Sequence, residues 1–262
     1  MKQEIRYILM DPTGNRTVLV ETGVPVSRQP QIAQQLLRLE PTAEQVGFLG
    51  QAASCDTALR MAGGEFCGNA AMSAAARYAM QTGQARCTVR VQISGAKAPI
   101  AVRIEQSDEK RWQGAVEMPQ PLSIEEVRFS DGRTLPVVFL PGIAHVIMDS
   151  APDADAPKLA KSRCAELHAD ALGMMFLDRC AQTLTPLVYV PSGDTLFWEH
   201  SCGSGTSAVG AYLAAQANEA LTIPFRQPGG TLEVYAEPGG TLRLRGTTAL
   251  VHERTAVIET EL

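Results

Sequence analysis

The sequence predicts an α+β fold of two pseudo-symmetric lobes, each a mostly antiparallel sheet wrapped around a central Ala-rich helix. Three observations lead there. First, Glu65-Phe66-Cys67-Gly68-Asn69-Ala70-Ala71-Met72-Ser73-Ala74 has an echo in Ser201-Cys202-Gly203-Ser204-Gly205-Thr206-Ser207-Ala208 at an offset of 135 residues. Second, the same offset carries Gln92-Ile93-Ser94-Gly95 onto Gln227-Pro228-Gly229-Gly230, and a similar one relates Gly114 to Gly246 and Val46-Gly47-Phe48 to Met174-Met175-Phe176. Third, the offset is close to half of the 262 residues, so each lobe is long enough for its own core.

In chain order, β-branched or alternating runs bounded by Gly, Pro or Asp suggest strands at 5–10, 16–21, 87–93, 100–104, 114–118, 135–140, 184–190 and 232–235. Helices are expected at 30–39, 69–81, 157–171 and 204–217. The second and fourth begin straight after a Cys-Gly pair and are rich in Ala. A helix that is apolar and small nearly all round lets strands approach closely, so each is expected at the centre of its lobe. The proline-flanked Pro119-Gln120-Pro121 marks the boundary. Residues 1–118 then form the first lobe and 119–249 the second, with the tail 250–262 returning to the first.

Composition narrows the function classes. With 45% hydrophobic and 19% charged residues the chain reads as globular rather than fibrous or disordered. Twenty-three basic against 28 acidic residues, with no Lys/Arg run beyond two, argue against a nucleic-acid partner. No window approaches the ~18 consecutive apolar residues of a membrane helix. Glu4 interrupts the basic start and only Tyr7 to Met10 precede Asp11-Pro12, so no signal peptide is expected and the protein is read as cytoplasmic. The six cysteines are too sparse for a disulfide scaffold, and the four scattered histidines give no metal-site spacing.

A cysteine at a helix start sits where unpaired backbone N–H groups and the positive end of the dipole stabilise a thiolate, so its pKa is expected to fall. The following Gly68-Asn69 and Gly203-Ser204 allow close backbone approach and offer amides to a carboxylate. A single Cys-Gly is more simply a packed cysteine. Two, on pseudo-symmetric lobes, could present thiols from across an interlobe cleft to opposite faces of one carbon. One thiolate removes the proton from Cα, the opposed thiol returns one, and the stereocentre inverts. Five lysines, all in polar or strand-edge surroundings, offer no Schiff-base candidate, so no cofactor is expected.

These residues carry a resemblance. Gly64-Glu65-Phe66-Cys67-Gly68-Asn69-Ala70 and Ser201-Cys202-Gly203-Ser204-Gly205-Thr206 resemble the paired signatures of the diaminopimelate epimerase and proline racemase superfamily. That resemblance implies a cofactor-independent enzyme of two lobes, with Cys67 and Cys202 as its acid and base. Glu44-Gln45-Val46-Gly47-Phe48, Gly173-Met174-Met175, Pro186-Leu187-Val188-Tyr189-Val190-Pro191, Trp198-Glu199-His200-Ser201 and Gln227-Pro228-Gly229-Gly230 resemble more closely the histidine racemases of staphylopine-type metallophore biosynthesis. Asn15, in Thr13-Gly14-Asn15, stands near where the epimerases place a substrate-contacting Asn. Two features of diaminopimelate epimerases are absent. Their Glu-Arg clamp is replaced by Trp198-Glu199-His200-Ser201, and their Gly-Asn-Pro-His by Gly142-Ile143-Ala144-His145.

The remaining candidates have open roles. Glu44 and Glu199 are each read as holding the substrate ammonium, as tuning a thiol, or as solvated charges. Trp198 is a pocket wall or a core residue, and His145 and His200 are substrate contacts or structural. Cys55, Cys87, Cys164 and Cys180 are read as packing residues. The partner expected is a small amino acid, with a homodimer possible. The resemblance implies interconversion of L- and D-histidine, and three alternatives stand beside it: another racemase or epimerase of the same superfamily, of proline, hydroxyproline or diaminopimelate type; a phenazine-biosynthesis-type isomerase, which uses a carboxylate; and a non-catalytic amino-acid-binding protein.

Overall fold

The computed structural model describes residues 2–259. Of the expected lobes and tail, Met1 and residues 260–262 lie outside the described residues. The first part of the chain runs β1 (Lys2–Pro12), β2 (Thr17–Val20), α1 (Gln29–Leu39), β3 (Gln45–Gly50), β4 (Thr57–Met61), α2 (Gly68–Thr82), β5 (Arg86–Ile93), β6 (Ile100–Asp108) and β7 (Arg111–Glu117). It continues through β8 (Ser123–Arg128), β9 (Thr134–Leu140), β10 (Ile143–Met148), α3 (Ala156–Leu167), β11 (Leu172–Asp178), β12 (Thr183–Val190), β13 (Thr195–Trp198), α4 (Gly203–Ala217), β14 (Leu221–Gln227), β15 (Gly230–Ala236) and β16 (Leu242–Glu259). Two compact units result, one up to Glu117 and again from Arg245, the other Met118–Leu244.

In the first unit the strands follow the order β1 to β7 and then β16, which returns antiparallel onto β1 with Lys2 opposite Glu259 and Pro12 opposite Thr248. The result is a closed eight-stranded barrel without an open edge. Helix α2 packs against β1, β2, β4, β5, β6 and β7, and is buried on every face from Gly68 to Ala76. Small residues make that possible. A Cβ on Gly114 of β7 would stand 2.8 Å from Met72 Cγ, so only a bare backbone lets β7 lie this close to the helix.

The second unit orders its strands β15-β14-β12-β11-β10-β9-β8, with β13 on β12 and the start of β16 beside β15. Helix α4 packs against β9, β10, β11, β14 and β15. Gly210 plays the part of Gly114 here: a Cβ on it would meet Val234 Cγ1 at 2.6 Å.

Most strand pairs are antiparallel. The parallel ones are β2 with β3, β4 with β5, β10 with β11 and β12 with β14. Parallel neighbours cannot be joined by a tight hairpin, and here each pair is spanned by a helix, α1 to α4 in turn. The expected helix over 157–171 stops early. His168 adopts a left-handed conformation (φ 49°) and its amide caps Cys164 and Ala165 carbonyls, freeing the chain to enter β11 at Leu172.

Candidate active site

Both Ala-rich helices are capped by their cysteine. Cys67 and Cys202 are extended (φ −136° and −114°), and each Sγ accepts the amide three residues on, from Ala70 at 3.4 Å and Gly205 at 3.3 Å. The sulfur thus occupies the place of a Ser or Asp cap oxygen. The helical ladders begin with Ala71 and Thr206 bonding back to the two cap carbonyls, so the amides of Gly68, Asn69, Gly203 and Ser204 take no part in them. Gly68, Asn69 and Gly203 are buried, whereas Ser204 is half-buried.

The motif that repeats at the same offset as the cysteines buttresses both loops. Gly95 (φ +75°) presses its bare α-carbon on the Phe66 amide, where a Cβ would come within 2.3 Å, and Ser94 Oγ donates to the Glu65 carbonyl at 2.7 Å. In the other unit Gln227 accepts the Cys202 amide at 2.9 Å and donates to Thr206 Oγ1 at 2.7 Å, while the Gly229 amide holds the His200 carbonyl at 2.7 Å.

Around Cys67 the structure brings three sequence candidates into one network. Asn15, buried in the β1–β2 turn, donates from Nδ2 to Glu44 Oε2 at 2.5 Å. Gln45, which the sequence reading passed over, links that pair to the sulfur. Its Nε2 lies 2.6 Å from Asn15 Oδ1, 2.8 Å from Thr17 Oγ1 and 3.3 Å from Cys67 Sγ, and the thiol can donate back to Gln45 Oε1 at 3.4 Å. The turn is pinned by Thr13, whose hydroxyl donates to the Thr247 carbonyl at 3.0 Å.

Around Cys202 the arrangement differs. Its side chain is buried, at 4% exposure, with Ser204 Oγ 3.5 Å from the sulfur and His145 Nε2 3.1 Å from Ser204 Oγ. Glu199 is half-buried and its carboxylate acts on the thiol. Trp198 is 44% exposed and tilts over Phe176 with ring centres 5.9 Å apart, so it is not a core residue. His200 is exposed.

Residues 4–251 match the family model described as the histidine racemase CntK N-terminal domain. The chain belongs to this family. A histidine racemase of Staphylococcus aureus (strain Mu50) is 29% identical over 98% of this chain and 99% of its own length. Among solved structures, a hydroxyproline epimerase from Agrobacterium vitis with bound trans-4-hydroxy-L-proline superposes with a TM-score of 0.68 at 12% identity, covering 98% of this chain and 93% of that one. A phenazine biosynthesis protein of the PhzF family from Bacillus anthracis gives 0.70 at 14% identity, covering 98% and 100%. These likenesses extend the fold, and the family makes the protein an isomerase of the amino-acid racemase kind.

The electrostatics of this racemase depart from the sequence expectation at one cysteine. Burial pushes the Cys202 thiol well up, and the Glu199 carboxylate adds to the effect by its charge and by accepting a hydrogen bond; Ser204 and the Gly205 amide act in the opposite direction and do not outweigh them. Cys202 is therefore a protonated thiol at neutral pH. His145 is fully buried and desolvation pushes its imidazole down to about 3, so the ring is neutral. Of the other cysteines, Cys164 belongs to the second unit's core and donates to the Ala169 carbonyl, while Cys180, expected as a packing residue, is exposed. Among the described residues no group of His, Cys, Asp or Glu is placed to hold a metal ion, and no helix is long and apolar enough to cross a membrane.

Proposed function

We propose that this racemase interconverts L-histidine and D-histidine by a cofactor-independent 1,1-proton transfer in which Cys67 and Cys202 alternate as base and acid. The observation that carries the reading is the pair of cysteine N-caps. Two sulfurs, each accepting the third amide of an Ala-rich helix, recur at one offset in the two halves of one chain.

The chemistry follows from that pair. A thiolate takes the α-hydrogen of the substrate as a proton, the electron pair left on Cα delocalises into the carboxylate, and a thiol delivers a proton to the other face. The carboxylate gains negative charge in the transition state. First-turn amides at Gly68, Asn69, Gly203 and Ser204 would stabilise it in that state more than in the ground state. Glu44, oriented by Asn15, and Glu199 serve the substrate ammonium. Binding a cation beside Glu199 cancels the repulsion that disfavours a Cys202 thiolate, so substrate itself readies that sulfur as a base.

The side chain is chosen by elimination and by kinship. Where diaminopimelate epimerases follow their Glu with Arg this chain has Glu199-His200, so a second substrate carboxylate lacks that Arg, and an unpaired charge costs several kcal/mol on burial, which disfavours diaminopimelate. Imidazole suits a surrounding of flat apolar rings and neutral hydrogen-bonding groups, and the half-exposed Trp198 offers such a ring. The S. aureus relative named above is a histidine racemase. Incubating each of the twenty L-amino acids with the protein in D2O and following the α-proton signal tests the reading. L-histidine should exchange fastest and approach a racemic mixture; another amino acid exchanging while histidine does not would overturn the substrate.

A further inference from the structure

His145, buried in β10, has a neutral ring, with one N–H and one lone pair. Its surroundings decide which nitrogen carries the hydrogen. Nδ1 is buried with no hydrogen-bond partner and faces the bare α-carbon of Gly173, where a Cβ would stand 2.2 Å away. The α-hydrogen in place of that Cβ points at Nδ1. A lone pair tolerates such a contact and a second N–H hydrogen does not. The ring hydrogen is therefore on Nε2, and His145 donates to Ser204 Oγ across 3.1 Å. Having accepted that bond, Ser204 keeps its own hydroxyl hydrogen to give, and Cys202 Sγ lies 3.5 Å away.

We propose that His145 is a positioning residue for the Cys202 half of the reaction, its Nε2–H turning the Ser204 hydroxyl so that the O–H donates to Cys202 Sγ and holds the thiolate. The proposal rests on the two-cysteine reading. Glu199 serves the other protonation state, because a carboxylate only accepts and so holds the S–H. A sulfur that gains and loses a proton in every turnover thus has a fixed partner for each state, and little needs to reorganise as charge appears. No proton travels along the His145–Ser204 pair; the one Cys202 takes comes from Cα. In the other unit one amide does both tasks, since Gln45 donates from Nε2 and accepts at Oε1.

The test uses the full chain carrying Ser204→Ala, His145→Leu, both together, or the conservative His145→Gln, which keeps an N–H donor. One readout is the pH midpoint of Cys202 thiolate absorbance, taken as the difference from Cys202→Ser. The other is kcat and KM for L-histidine across pH. Ser204→Ala and His145→Leu should each raise the midpoint and lower kcat about three- to tenfold, with KM changed by less than about twofold, as expected for one lost hydrogen bond to a charged sulfur. The double variant should be no worse than the more affected single, because both act through one hydroxyl. His145→Gln should lie close to wild type. A midpoint that His145→Leu leaves in place, or effects that multiply in the double variant, would overturn the proposal. Should His145→Leu not fold, nitrogen chemical shifts of the wild-type ring decide: Nε2–H is required, and Nδ1–H refutes it. Wild-type racemisation by Cys202→Ser would instead overturn the two-cysteine reading beneath it.

Discussion

Gly205→Ala probes the packing that fixes the Cys202 sulfur. Gly205 is the third helical residue of α4, and its amide donates to Cys202 Sγ at 3.3 Å. A methyl group there would stand 2.1 Å from Met175 Sδ, 2.9 Å from Met175 Cε and 3.1 Å from Cys202 Sγ. Against an ordinary contact of about 3.6 Å, the methionine sulfur must retreat by roughly 1.5 Å and the cysteine sulfur by roughly half an ångström. Met175 is fully buried, so there is little space to retreat into. Overpacking of this kind costs about 1–3 kcal/mol, of which alanine's better helix propensity returns up to about 1. At about 2–4 °C per kcal/mol for a chain of this size, calorimetry should show Tm lower by several degrees. The rate of α-proton exchange, measured well below the transition, should fall about tenfold or more, because the proposed mechanism needs this sulfur held in place and the added methyl displaces it. Met175→Ala alone costs about 2–5 kcal/mol, yet combined with Gly205→Ala it removes the clash, so the double variant should be more stable than the two penalties added. A wild-type Tm and rate for Gly205→Ala, or strictly additive penalties, would refute this account of the site.

Other outcomes follow from the same contacts. Glu199→Gln removes the charge that raises the Cys202 thiol, so the pH profile for proton abstraction by Cys202 should move toward acid while kcat/KM falls about tenfold or more through weaker ammonium binding; a profile that moves toward alkali contradicts the electrostatics. The folded protein keeps a proton on Cys202 that the unfolded chain loses near the ordinary thiol value. Folding stability should therefore decline as pH rises past about 9, less steeply in Cys202→Ala, and chemical denaturation at pH 8 and pH 10 would reveal equal slopes if this is wrong. Glu44→Gln should lower kcat/KM for L-histidine by an order of magnitude or more, and a value within twofold of wild type removes Glu44 from the ammonium site.

The helix-cap geometry of the candidate site is legible because it is local in sequence. Cys67 and Cys202 head their helices in the sequence as they do in space, and the repeat at their offset also marked Gly95 and Gln227 as landmarks whose task, buttressing the cysteine loops, needed coordinates. Nothing at Gln45's own position in the sequence distinguishes it; a parallel pairing with Thr17 carries it beside Asn15 and Cys67. The pKa expectation erred at Cys202 for a related reason, burial and the approach of Glu199 being tertiary facts that override the local benefit of a helix N-terminus. Strand signals failed in two ways. β10 and β11 are buried on both faces and so lack alternation, while β14 carries Pro224 at its centre.

The two-cysteine claim is tested most directly by treating Cys67→Ser and Cys202→Ser separately with L-histidine and D-histidine in D2O. A serine hydroxyl is far less acidic than a thiol, so each variant loses its efficient base on one side of Cα and keeps it on the other. Racemisation should collapse in both, with slow α-deuterium incorporation persisting for one enantiomer in the first variant and for the opposite enantiomer in the second. Racemisation near the wild-type rate in either variant would contradict the account.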